Sequence, residues 1–216
     1  MSVRMKIDFV SDVSCPWCVI GLQSLEAALG KLGGEISPEL HFQPFELNPN
    51  MALEGQDIVE HIEEKYGSTP EQIERSQEMI RARGAELGFR FDLEKRTRIY
   101  NTFDAHRLLH WAEIEGRQPQ LKHALFTAYF TEGLDPSDHD VLVEIAAGVG
   151  LDAGRAKQIL ASDEFADEVR EREQLYLNHG IHAVPSIIVN DRHLIQGGQP
   201  VEVFEQALRQ LAQQDR

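Results

Sequence analysis

Cysteine is nearly absent from this chain: its 216 residues hold two, Cys15 and Cys18. Neighbouring cysteines cannot staple a fold across its length, so stability rests on a packed core, which a chain this long can bury. Long apolar runs are missing as well. No stretch approaches the roughly 18 apolar residues of a membrane span. The start, MSVRMKIDFVSDVS, lacks the run of about 7–15 apolar residues that opens a secretory leader. Lysine and arginine are scarce and scattered, 21 against 36 acidic residues, for a formal charge of −15. That balance works against phosphate backbones and anionic lipid, so neither nucleic acid nor membrane is an expected partner. Internal repeats and low-complexity tracts are absent too. A cytoplasmic location is the expectation, and there structural disulfides are rare.

What is present is an order of elements. Residues 5–12, MKIDFVSD, alternate at Ile7 and Phe9 and predict a strand entering a core. Leu22, Leu25, Ala28, Leu29 and Leu32 recur at helical spacing up to Gly33-Gly34, and 39–45, ELHFQPF, predicts a second strand. From about 57 to 161 every signal is helical: a capping box at Thr69-Pro70-Glu71-Gln72, N-caps at Ser137 and Asp152, and stops at Gly116, Gly133 and Gly150. Ser162 is expected to start a long helix ended by Gly180, followed by a hairpin of 186–190 and 193–196 across Asp191-Arg192 and a helix over 200–213. Without its helical middle, the order βαβ–αββα is that of a thioredoxin-type sheet. The expected class is therefore α/β, a thioredoxin-like sheet with a large inserted α-helical domain. Residues 1–50 and 163–216 would form a discontinuous thioredoxin-like domain, and 51–162 the insert.

Both cysteines lie in SDVSCPWCVIG, at the turn from the first strand into the first helix. Dithiol–disulfide exchange needs one reachable thiolate and a second thiol close enough to resolve the mixed disulfide. A helix start offers free N–H groups and a positive dipole end to Cys15, while Cys18 lies one turn in, shielded and protonated. Pro16 fits the first turn, where its missing N–H is not needed, and the Trp17 ring can form an apolar lip around Cys15. Two merely structural cysteines would not need this spacing. A zinc site needs about four ligands, and no histidine clip accompanies the pair, so no metal is expected. A second signal is GIHAVPSIIVN, 180–190, with Pro185 directly before a strand. In a thioredoxin-type sheet this is where a cis-proline faces the cysteines and leaves the Val184 backbone free to pair with an extended substrate. An ordinary trans proline at a strand start is the alternative.

With these residues in view the chain resembles the DsbA-like family of the thioredoxin superfamily, and more narrowly its cytosolic FrnE-type branch. The resemblance is carried by FVSDVSCPWCVIG, NTFDAHRLLHWA at 101–112, GIHAVPS at 180–186 and GGQP at 197–200, in that order. It implies protein dithiol–disulfide oxidoreductase or isomerase activity, with Cys15 as nucleophile, Cys18 as resolving thiol and Pro185 as the cis-proline. A neighbouring branch, the kappa-class glutathione transferases and 2-hydroxychromene-2-carboxylate isomerases, carries serine where Cys15 stands. Both cysteines here favour thiol exchange over that glutathione-dependent alternative. A non-catalytic, redox-sensing binding or chaperone module is the other alternative. No bound cofactor is expected. Glutathione is a candidate reductant or co-substrate, its peptide-like chain held by the Val184 backbone, Gly197 and Gly198.

Further substrate-binding candidates are Trp17, His182, Asn101 and His106. On a helix through 100–114, Tyr100, Phe103, His106, Arg107, His110, Trp111 and Ile114 share one side. That side lines the groove above Cys15 or forms a core-facing edge with its polar groups hydrogen-bonded. Asp12 caps the turn or accepts protons near the thiols, and His182 approaches the thiolate or stands at the rim. Expected partners are protein or small-molecule disulfides, with the chain a monomer or homodimer.

Overall fold

Alternation in the first strand decides which face it buries. The computed structural model describes residues 2–214. Met1, Asp215 and Arg216, which fall in the expected discontinuous domain, lie outside the described residues. In β1 (Val3–Ser11), Met5, Ile7 and Phe9 are fully buried on one face. β1 runs parallel to β2 (Ile36–Pro44), with Phe9 opposite Phe42. On its other edge it runs antiparallel to β5 (Ser186–Val189), with Phe9 opposite Ile187 and Ile7 opposite Val189. β6 (His193–Gln196) pairs with β5, giving the order β2-β1-β5-β6. The helices α1 (Pro16–Leu32) and α9 (Val201–Gln214) pack Val19, Leu22, Leu25, Phe204 and Leu208 onto that apolar face. The opposite face is covered from α8 (Ala166–Asn178), whose Tyr176 joins Val10, Phe45 and Ile181. With both faces buried, the sheet is the centre of a layered α/β unit. This is the thioredoxin-like sheet with a helical insertion that the order of elements predicts.

Between β2 and α8 the chain forms α2 (Ile58–Tyr66), α3 (Pro70–Glu86), α4 (Phe103–Ile114), α5 (Gln118–Thr127), α6 (His139–Gly148) and α7 (Ala153–Leu160). The expected all-helical block is interrupted. Residues 87–102 hold no helix, and Arg98–Ile99 (β4) pair antiparallel with Gln56–Asp57 (β3). Packing does not stop at the insertion's edge: Ile80, Phe91, Leu93, Phe126, Tyr129 and Phe130 belong to the same apolar cluster as Phe9 and Cys18.

Local chemistry explains which boundaries were legible. Thr69 and Gln72 complete the capping box, with Gln72 N–H donating to Thr69 Oγ1 at 3.3 Å and Thr69 N–H to Gln72 Oε1 at 2.8 Å. Asp152 caps α7 as expected. The expected cap at Ser137 is in fact Asp138, which accepts from the N–H groups of Asp140 and Val141, while Ser137 bonds Asp135. Ser162 does not start a helix either. Its carbonyl accepts from Arg107, and α8 begins four residues later behind Phe165, held at φ 63°. The hairpin turns one residue earlier than expected, at Asn190-Asp191. Both have positive φ, 51° and 56°, as a type I′ turn requires, and Asn190 Oδ1 accepts from Lys6 N–H at 2.9 Å.

Candidate active site

β1 hands the chain to α1 through Asp12–Ser14, and Cys15 is the N-cap residue, extended at φ −94° and ψ 114°. Its N–H donates to Asp12 O at 3.3 Å, its carbonyl accepts from Cys18 N–H at 3.1 Å, and Pro16 opens the helix. One helical turn therefore brings the cysteines to 3.3 Å of one another. Both are free thiols. Cys15 is 4% exposed and Cys18 fully buried, and the two titrate in opposite directions. The hydrogen bond from the Cys18 thiol, then the N–H groups of Cys18 and Trp17, hold Cys15 below the ordinary thiol range against burial and the Asp12 charge. Burial and the facing Cys15 sulfur push Cys18 well above it. One sulfur is thus set up as the thiolate, the other as the proton-bearing partner.

The strand-start loop faces this pair. The Val184–Pro185 peptide bond is cis, and the Cys15 thiol lies 3.8 Å from the Val184 carbonyl. Two glycines let α1 approach. A Cβ at Gly21 would meet Pro185 Cγ at 2.9 Å, and one at Gly198 would meet the Trp17 carbonyl at 3.0 Å. Gly197 N–H donates to the Pro185 carbonyl at 2.8 Å. Gly197 and Gly198 thus brace the proline loop and Trp17 from below.

Cys15 opens onto a groove of about 480 Å³. One side is Ser14, Pro16, Trp17, Leu47 and Val184, and the other is the α2–α3 pair with Arg96 and Ile99. Arg96, which no motif marked, donates from Nη2 to the Ser14 carbonyl at 3.2 Å and stacks 5.0 Å from the rings of both Tyr129 and Phe130. Of the residues expected here, Cys15, Trp17 and Val184 line the groove, and Pro185 supports it. Gly197 and Gly198, expected to hold a substrate, lie behind the proline loop and Trp17 and not on the groove wall, and three more residues are not brought there. Asn101 is used locally, its Oδ1 accepting from Phe103 N–H at 2.9 Å and its Nδ2 donating to the Met51 carbonyl at 3.3 Å. His106 is 3% exposed and faces the core. His182 is exposed and outside the groove wall. Of the two readings of that side of α4, the core-facing edge holds, with its polar heads hydrogen-bonded internally: Arg107 bonds Asp104 and the carbonyls of Glu164, Ile159 and Ser162.

Behind the dithiol sit two buried charges. Asp12, 1% exposed, accepts from Leu47 N–H at 2.8 Å and Ser14 Oγ at 3.1 Å. His106 Nε2 lies 3.3 Å from Asp12 Oδ1 and 3.1 Å from the Phe45 carbonyl; facing two acceptors, it carries the hydrogen. Burial opposes ionisation of Asp12, yet the His106 hydrogen bond and charge and the Leu47 N–H hold it below the usual carboxylate range. Lys122, also 1% exposed, has aromatic faces instead, Phe126 at 4.9 Å and Phe42 at 6.0 Å. Burial pushes its ammonium down to about 8 against the Cys18, Asp12 and Cys15 charges.

Comparison with known proteins adds relatives to this geometry. A family model described as a DSBA-like thioredoxin domain matches residues 6–209. The uncharacterized protein YwbO of Bacillus subtilis is 28% identical over 209 residues, which is 96% of either chain. A structure described as a probable DsbA oxidoreductase from Streptomyces coelicolor superposes with a TM-score of 0.90 at 34% identity, covering 98% of this chain and 91% of that one. At 15% identity, a 2-hydroxychromene-2-carboxylate isomerase shares the fold with a TM-score of 0.69 over 97% of both chains. The cytosolic disulfide reductase DsbM from Pseudomonas aeruginosa with GSH does so at 16% identity and 0.64, over 96% and 99%.

Proposed function

Because the chain belongs to the DSBA-like thioredoxin domain family, we propose that it is a dithiol–disulfide oxidoreductase with Cys15 as nucleophile and Cys18 as resolving thiol. The observation that carries this reading is the opposed titration of two free thiols 3.3 Å apart at a helix start. The Cys15 thiolate attacks a substrate disulfide, forming a mixed disulfide and expelling one thiolate, which takes a proton from water. Cys18 then gives up its proton and attacks the Cys15 sulfur, expelling the second thiol. Two electrons pass from the dithiol to the substrate, and a Cys15–Cys18 disulfide remains. The partner chain or small thiol lies along Val184–Pro185, with Trp17 as the lip. Reversal of the same steps oxidises a dithiol, so direction is a matter of potential. The proposal extends to a cytoplasmic protein of the FrnE-type branch, with glutathione as its reductant. It is supported by a chain whose two cysteines both belong to the exchanging pair, as a reducing compartment allows.

Mass spectrometry of variants tests it. Cys18→Ala mixed with a disulfide should accumulate an adduct on Cys15, and Cys15→Ser should lose exchange by about 10³-fold or more. If Cys15→Ser instead keeps full activity with glutathione and an aromatic electrophile, the transferase reading replaces this one.

A further inference from the structure

We infer that Arg96 makes the groove above Cys15 selective for small disulfides bearing a carboxylate. The inference rests on the exchange reading and names the substrate class of that site. Its first support is the groove's composition. The chain carries 36 acidic residues against 21 basic ones, yet the groove wall contains no aspartate or glutamate, and Arg96 is its single lysine or arginine. The other titratable base of the wall, His61, is held below the ordinary imidazole range by burial and the Lys65 charge. Lys65 itself stands behind the wall, its ammonium taken up by the Leu47 carbonyl and Asn48 Oδ1, so Arg96 is the cation on the wall itself.

The second support is the state of that guanidinium. Among the described residues it has no carboxylate partner; its Nη2 donates to the Ser14 backbone carbonyl. Stacking on Tyr129 and Phe130 fixes its plane. A planar, immobilised guanidinium that no carboxylate of the chain neutralises is suited to one from a ligand, and half-buried it binds one more strongly than a surface arginine does. The third support is place. Arg96 holds the carbonyl of Ser14, the residue before Cys15, so a carboxylate docked on it belongs to the half of the substrate that Cys15 attacks. At about 480 Å³ the groove is of small-molecule size. The occupant is therefore a carboxylate-bearing small disulfide, with glutathione disulfide a member of the class.

In the step, the Cys15 thiolate attacks the sulfur of the half whose carboxylate Arg96 holds. The substrate S–S bond breaks, the other half leaves as a thiolate and is protonated by water, and Cys18 releases the bound half as a thiol. Any thiol in solution can return the two electrons.

A charge series read in single turnovers of the reduced chain tests this. Dithiodipropionate, hydroxyethyl disulfide and cystamine are of similar size and carry negative, neutral and positive ends. The wild-type rate constant should fall in that order. A global charge of −15 would order them the other way, so an anion preference must be local. Arg96→Gln should lower the dithiodipropionate rate about tenfold, mainly through KM, and leave hydroxyethyl disulfide within about twofold. Arg96→Lys should recover part of the loss. Equal loss on all three disulfides would show that Arg96 only braces Ser14 and would overturn the inference, as would a wild-type protein indifferent to charge. A protein disulfide flanked by acidic residues that reacts as fast as glutathione disulfide would overturn the small-molecule assignment. Failure of wild type to exchange even the neutral disulfide would sink the oxidoreductase reading itself.

Discussion

The two buried charges behind the dithiol are matched in burial and opposite in treatment. Asp12 and Lys122 are each 1% exposed, yet Asp12 is held ionised and Lys122 is pushed down to about 8. The difference is partners. Asp12 has hydrogen-bond donors at both oxygens, whereas the Lys122 ammonium has ring faces, which offer far less than the water it has lost. Burial alone does not set a charge; the hydrogen bonds that replace water do. The dithiol thus lies between an anion that is fixed and a cation that can be lost. Asp12 opposes ionisation of Cys15, and Lys122 favours ionisation of Cys18.

Removing the fixed side should have the largest effect. Asp12→Ala leaves the Leu47 N–H unpaired at the groove wall and takes from His106 one of its two acceptors, so urea denaturation should show a loss of about 3–5 kcal/mol. The Cys15 thiol, freed of a nearby negative charge, should ionise at lower pH, read from the pH profile of its alkylation. A variant as stable as wild type would mean that these hydrogen bonds do not offset the burial of Asp12, which would break the contrast with Lys122.

Removing the other side should act in the opposite sense. Lys122→Met keeps the length of the side chain and discards an ammonium whose burial outweighs the charges that favour it, so stability at neutral pH should rise by about 2–3 kcal/mol. Between about 8 and the ordinary lysine value of 10.5, the unfolded chain binds the proton that the folded chain has lost, so wild-type stability climbs with pH there and the gap to the variant closes. Cys18 loses a favourable charge, so mixed disulfides on Cys15 should live several-fold longer. Lower stability at pH 7 would mean that the Asp12 and Cys15 charges outweigh the burial of Lys122.

Most of the sheet and the placing of the two cysteines were legible because they are local. Ile7 and Phe9 alternate, C-P-W-C stands where a strand becomes a helix, and Thr69 to Gln72 satisfy one another within a single turn. What was not legible is joined across the chain. Arg96 meets Ser14, Arg172 pairs with Glu113 rather than with its helical neighbour Glu168, and His106 reaches Asp12. No periodicity encodes such contacts. For the same reason the polar side of α4 was read as one of two things: only tertiary structure shows that Arg107 finds three carbonyls. Gly21 could be seen only as a residue within a helix, because the Pro185 ring that forbids a side chain there is distant in sequence.

A third charged cluster supplies the case between the extremes and the smallest effect. Glu46 and Glu173 both reach Arg170, yet the other carboxyl oxygen of each is buried without a partner. Burial and the Glu173 charge push Glu46 up to about 7, and burial likewise raises Glu173, so the pair keeps a proton that neither would hold alone. The folded chain therefore binds a proton that the unfolded chain has released. That stability is complete below the ordinary carboxyl value of 4.5 and is lost as pH rises through about 7. Glu46→Gln makes the proton permanent. The wild-type fall in unfolding free energy between about pH 5 and pH 8 should shrink by about 1–2 kcal/mol in the variant, less than the full shift because Glu173 shares the proton. Chemical denaturation at a series of pH values reads it directly. Parallel curves would mean that both carboxylates stay ionised against Arg170, which would move this cluster to the fully partnered side that Asp12 represents.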